Sequence, residues 1–477
     1  MSSELFEAVS AAVRDGLEHV RQMKEQGKTI IGHLRFPTIS TFSSGLPHLS
    51  VQLFNGPPDY LDAFSRDKDW KAPPSWKVVG DLALRSVALR RYYPGAGNGA
   101  LDDAALNDPE RVQRIDSEVQ MTLKRLVDRY VNIAGHTDFE AETFLPIYRE
   151  WERCALLDEL TFDILVPLLL VKVEAGSLDL GPDLAIEEMS ELLQLARAER
   201  PEDATPRSSP LVGAATHALA LKNWVMKNDS WINRWVQSRE PQAFADATHV
   251  VNVFMAALRI VTGIETGYAQ IVTRPHNWGD RWEAYLPDIS IAQVKVYPDH
   301  FDNQGWWRTP PTLTAEQCQQ AYQLYEALSQ SKSNKIALAC RRLNTAYLRQ
   351  NEEDAILDVT IALETLLADD GRGGEITYRL AMRIAGLSTF EPFETHSAED
   401  VFKMVKQIYN YRSAVAHGSH DVEKRRVVSL KHQPEPIPTI RLGLALLRYV
   451  MGVVSRRPAM LDVQALDAHL LNAFRPL

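Results

Sequence analysis

The sequence holds little cysteine. Cys154, Cys318 and Cys340 are three in 477 residues, odd in number and far apart. That excludes a disulfide framework and the paired-cysteine spacing of a zinc site, and it suits a reducing, cytoplasmic compartment. Positive charge is also short: 52 lysines and arginines face 62 aspartates and glutamates, a net of −10. No global field draws such a chain to nucleic acid, so any RNA site would be a local basic patch. Long apolar runs are missing. The longest, Ile164 to Val171, falls far short of the roughly 20 residues a membrane helix needs, so no membrane partner is expected. The polar N-terminus shows no signal peptide. Histidines are scattered, with no His-Glu-x-x-His pair, so neither metal nor cofactor is expected. Gly95-Ala-Gly97-Asn98-Gly99 lacks the lysine of a phosphate-binding loop and reads as a plain loop.

What remains is an ordinary globular composition, 45% apolar and 24% charged, over a length that allows two or three domains. Leu5, Phe6, Val9, Val13, Leu17 and Val20 mark an amphipathic first helix. Residues 29 to 98 look mixed and loop-rich, broken at Pro57-Pro58 and Pro73-Pro74. Asp108-Pro109 is a helix start, a capping aspartate before a first-turn proline, and Gly135 is its stop. A partner helix follows near 144 to 157. Phe162 to Val171 is rich in strand formers, and Pro167 argues for an edge or a bulge. Ala218 to Val225 is another strand, and Phe244 to Val261 a helix closed by Gly263. Trp278, Trp282, Trp306 and Trp307 could stack bases or fill a core. Residues 1–310 thus read as a mixed α/β body, sensor or regulator of unknown ligand.

From Thr314 the texture turns helical. Thr314-Ala-Glu-Gln317 is a capping box. Helices are expected over 314–329, 334–349, 353–368, 375–386, 397–417 and 439–456. The fold class is therefore α+β: a mixed N-terminal body, then an all-helical bundle over 311–477.

One stretch carries chemistry: Asn410-Tyr411-Arg412-Ser413-Ala414-Val415-Ala416-His417-Gly418. Arginine grips phosphate oxygens in a planar fork. Histidine gives and takes protons near neutral pH. Together they could cleave RNA without metal, the histidine moving protons and the arginine stabilising charge on phosphorus oxygens. Ser397-Ala-Glu-Asp400 caps the helix, and Gly418 stops it. Five residues rotate by about 500°, which leaves Arg412 and His417 roughly 140° apart. Either the last turn distorts or the pocket forms against another helix or subunit.

Three ordered blocks widen the motif: Ala362-Leu363-Glu364-Thr365-Leu366-Leu367; Glu375 through Arg379 and Arg383 to Ala385; and Tyr411 to Gly418. The series, over roughly 314 to 456, resembles the ApeA-like branch of the HEPN superfamily. The resemblance implies a helical bundle that dimerises or assembles further. It implies a metal-independent endoribonuclease in which the Arg-x4-His motifs of two copies face one cleft. It further implies an antiphage, abortive-infection role, a toxin that cuts RNA such as tRNA on a phage-derived trigger. Arg412 and His417 match the catalytic pair, and Glu364 the family's acidic position. Ser413 departs from the asparagine, aspartate or histidine common after the arginine. That departure keeps open a catalytically inactive dimerisation or RNA-binding module.

Glu364 could pair with Arg379 or Arg412 and orient the site, or fix helix packing as a buried ion pair. Arg379 and Arg383, four apart, could contact phosphate. Tyr409 and Tyr411 read as packing. Lys424, Arg425, Arg426 and Lys431 could meet an RNA backbone, or form a solvated loop. The body is expected to restrain the nuclease until triggered.

Overall fold

The structure is a computed structural model of a single chain. It describes residues 3–53, 56–67, 69–93, 108–199, 210–228, 241–293, 297–301, 309–368, 375–430 and 435–473. Gly95–Gly99, Trp306, Trp307 and Lys431 lie outside these. The chain is mixed α+β and divides into two compact units. The first comprises Met1–Pro167, Gly181–Ala245 and Ala269–Lys295; the second comprises Leu168–Leu180, Asp246–Tyr268 and Val296–Leu477.

In the first unit, α1 (Ser3–Glu25) buries Val9, Val13, Leu17 and Val20, the stripe its sequence predicts. The described residues of the span 29 to 98 hold more regular structure than their prolines suggest. They hold an antiparallel hairpin, β1 (Arg35–Thr41) with β2 (Pro47–Leu53). Three helices follow: α2 (Tyr60–Arg66), α3 (Pro74–Arg85) and α4 (Val87–Tyr92). Pro74 opens α3, where a missing N–H costs nothing, so that proline starts a helix instead of breaking one. Helix α5 (Pro109–Ala134) is capped by Asp108 and stopped by Gly135 at φ +77, as expected. Helix α6 (Ala141–Leu156) packs against it.

The sheet of this unit includes β3 (Glu159–Pro167), β4 (Leu184–Glu188), β5 (His217–Lys227), β6 (Gln270–Pro275) and β7 (Ser290–Gln293), in the order β4-β5-β3-β6-β7. All these pairings are antiparallel. The edge suggested by Pro167 is not found: β3 is central, pairing with both β5 and β6. Its proline is the last strand residue, where the ladder ends, and the bulge lies further back, between Phe162 and Ile164. Arg197, on α7 (Glu191–Glu199), is buried, and burial pushes its guanidinium down to about 10. It donates to the carbonyls of Val212 and Gly213 and to Gln194 and Gln270.

The second unit is helical. It contains α8 (Pro241–Thr262) from Asp246 onward, α9 (Ala315–Gln330), α10 (Asn334–Ala346), α11 (Glu352–Leu367), α12 (Ile376–Leu387), α13 (Ala398–Ala416), α14 (Thr439–Arg456) and α15 (Val463–Ala473). Thr314 and Ser397 each close a complete capping box. One core joins Leu343, Leu363, Ile384, Met404 and Leu446 to Ala256, Ala257 and Ile260 of α8. Within Phe244–Thr262 lies the one described stretch long and apolar enough to cross a membrane, and half of it is buried. Helix α8, expected to belong to the N-terminal body, thus supplies core to this unit. Arg259 is 2% exposed and donates to Asn344 and to the Thr266 carbonyl.

A 311–477 fragment should therefore fold poorly. A buried isoleucine alone is worth about 1.5–3 kcal/mol. Total stabilities are only about 5–15 kcal/mol. Far-ultraviolet circular dichroism of the fragment should show a broad or absent thermal transition, against a sharp one for the full chain.

Candidate functional site

Helix α13 places the proposed pair. Its apolar residues Val401, Met404, Val405 and Ile408 are buried, which fixes which face turns outward. The helix is regular through Ala416. His417 is the C-cap residue, and its N–H donates to the Ser413 carbonyl at 3.1 Å. Gly418 follows at φ +61, the left-handed geometry glycine accepts, and Ser419 N–H closes onto the Ala414 carbonyl at 2.9 Å. The helix is regular only as far as Ala416, and His417 itself leaves it at φ −104, ψ 4, so the ideal offset of roughly 140° holds only for a regular helix.

His417 is exposed and Arg412 half-buried. The Arg412 Nε is buried with no hydrogen-bond partner. A buried unpaired N–H costs about 1–3 kcal/mol. Its surroundings are acidic and phenolic. Tyr409, one turn earlier on α13, feels the charge of Glu364 on α11. Its hydroxyl donates to the Thr360 carbonyl, 3.4 Å away. Burial, then the Glu364 charge, pushes the Tyr409 phenol well above its ordinary range, while the Arg412 charge pulls it down. Tyr409 stands three residues before Arg412, on the same side of the helix. Tyr411 is fully buried, consistent with packing.

The supporting residues divide. Ser413 is half-buried, and its carbonyl serves the helix cap. Arg379 is half-buried on α12. Arg383, expected to reach phosphate, is only 4% exposed. Its Nε and Nη2 donate to both Asp467 carboxylate oxygens at 2.8 and 2.7 Å, and Nη1 to the Leu367 carbonyl at 2.8 Å. The reason is helical phase: Leu380, Ile384 and Leu387 define the buried side of α12, and Arg383 lies on it.

The basic strip is partly neutralised. Lys424 is exposed and pairs with Asp421 at 3.1 Å. Arg426 pairs with Glu353 and with Glu423. Arg425 donates to the Asn410 carbonyl at 2.8 Å, against the outer end of α13. A cavity of about 910 Å³ in this unit is lined by Arg349, Glu352, Arg441 and Arg448 among others, but by neither Arg412 nor His417. In the first unit, Trp278 and Trp282 are buried and donate to the Thr161 carbonyl and Glu150, so they fill core instead of offering stacking faces.

His33, Asp59 and Asp128, well separated in sequence, also come together in the first unit. No local motif announces them. No family model, curated protein or solved structure matches this chain.

Proposed function

We propose that this chain is a metal-independent endoribonuclease of the HEPN type, assembled as a homodimer or larger homo-oligomer, acting in the cytoplasm. The reading rests on one observation above others: an exposed histidine at the end of α13, five residues from a half-buried arginine whose Nε lacks an acceptor. Two copies of α13 meeting across a symmetric groove would bring the histidine of one toward the arginine of the other. Scissile phosphate oxygens would meet the guanidinium. The histidine would move protons at the 2'-hydroxyl and the leaving oxygen, while Arg412 stabilises the phosphorane charge. Glu364 would orient the arginine side of the groove. Arg379, Lys424 and Arg425 would contact the RNA backbone, with Lys424 exchanging Asp421 and Arg425 the Asn410 carbonyl for phosphate. Cleavage of tRNA as an abortive-infection effector is the biological role the sequence resemblance suggests.

Purified chain incubated with total RNA in excess EDTA should yield fragments ending in 2',3'-cyclic phosphate, because the internal hydroxyl is the nucleophile. Fragments ending in 3'-hydroxyl, or cleavage that stops with the chelator while the thermal melt is unchanged, would sink the proposal. A second reading, an inactive dimerisation or RNA-binding module, is favoured by Ser413 and by the neutralised basic strip. It predicts assembly or RNA binding without product.

A further inference from the structure

We propose that His33, Asp59 and Asp128 hold one divalent first-row transition-metal ion, zinc or manganese, that staples the first unit. A ring nitrogen of His33 and one carboxylate oxygen from each aspartate lie within 4.8 Å of one another. Exposed carboxylates gather without meaning. Here His33 is 7% exposed and Asp128 3%. Asp59 is partly buried. Two carboxylates this close repel, and a shared cation relieves the repulsion.

The imidazole is dressed as a ligand. Its Nδ1 lies 2.8 Å from Glu283 Oε1, and its Nε2 is buried without a hydrogen-bond partner. A metal-bound histidine has this division, one nitrogen oriented by a carboxylate and the other given to the ion. The aspartates are oriented through Oδ1. Asp59 Oδ1 caps α2 by accepting from Leu61 and Asp62 N–H, at 3.0 and 3.2 Å. Asp128 Oδ1 accepts from Tyr60 N–H at 2.9 Å and Asn132 Nδ2 at 3.1 Å.

The backbone is built for the approach. His33 N–H donates to the Pro57 carbonyl and Asp59 N–H to the Ile31 carbonyl, each at 2.9 Å. A Cβ on Gly56 would sit 2.7 Å from His33 Cβ, and one on Gly32 would sit 2.5 Å from the Gly56 carbonyl oxygen. Only glycine lets the two segments close. The ion would join the 31–36 segment, the start of α2 and the middle of α5. One nitrogen and two oxygens, with water completing the shell, suit zinc or manganese. Calcium takes six to eight oxygens, and magnesium keeps most of its waters. The ion takes no part in the RNA chemistry proposed above.

The test uses tag-free full-length protein. Elemental analysis by mass spectrometry should find about one equivalent of zinc or manganese. After EDTA stripping and dialysis, titration with zinc chloride or manganese chloride should restore it and raise the thermal midpoint. Asp59→Asn should lower affinity for the added ion at least ten-fold, and so should Glu283→Gln, which leaves all three ligands in place. Glu283 is partly exposed, so that variant guards against misfolding of the buried ones. Failure of the stripped wild type to bind either ion at micromolar concentration would overturn the proposal, as would unchanged affinity in both variants. RNA cleavage is scored separately, so either proposal can fail alone.

Discussion

His417→Ala should cut the rate of RNA cleavage by about 10²- to 10⁴-fold, the usual worth of a positioned acid–base group. That corresponds to about 3–5 kcal/mol of transition-state stabilisation. His417 is exposed, so the fold should barely notice: stability should stay within about 0.5 kcal/mol of wild type. Loss of product with an unchanged melt and unchanged assembly separates a chemical role from a structural one. Arg412→Lys is the companion variant. Lysine keeps the charge but loses the planar fork, so activity should fall without vanishing. Full cleavage by pure His417→Ala protein would end the assignment. Gel-based initial rates on a defined RNA, with melts on the same preparations, provide both readings.

Asp467→Ala should destabilise the helical unit by about 4 kcal/mol, within the range for breaking a buried ion pair. The change removes the Asp467 carboxylate from the Arg383 guanidinium, which is 4% exposed. Arg383→Ala should cost less, about 3 kcal/mol, because the Asp467 side chain is 45% exposed and can return to water. Arg383→Met should be milder still, since it fills the volume and removes the charge. The order Asp467→Ala, Arg383→Ala, Arg383→Met is checked by denaturant melts. If Arg383 instead contacts RNA, all three melts will be close to wild type while RNA affinity drops in the arginine variants.

These two arginines show what was legible. Helix ends were, because caps are local chemistry: Ser397 with Asp400, Thr314 with Gln317, Asp108 before Pro109. The strand at His217–Lys227 and the first helix were legible from composition and period. Less was visible where distant segments decide. Arg383 reads as surface cation until its phase against Leu380 and Ile384 is weighed, and Asp467 lies on a final helix that was not anticipated. Pro167 argued locally for an edge, but two neighbours, one from after the strand and one from far beyond it, flank β3. His33, Asp59 and Asp128 gather through tertiary folding, and no spacing rule reaches across such separations. In the proposed nuclease site, the Arg412–His417 pair was plain in sequence, whereas the effect of the Glu364 charge on Tyr409 needed the structure.

The chain passes between its two units five times, after Pro167, Leu180, Ala245, Tyr268 and Lys295. Recombination at any single point therefore cannot transplant the helical unit intact into another protein. Nor would one protease nick liberate it as a separate piece. The two units must be inherited, synthesised and discarded together.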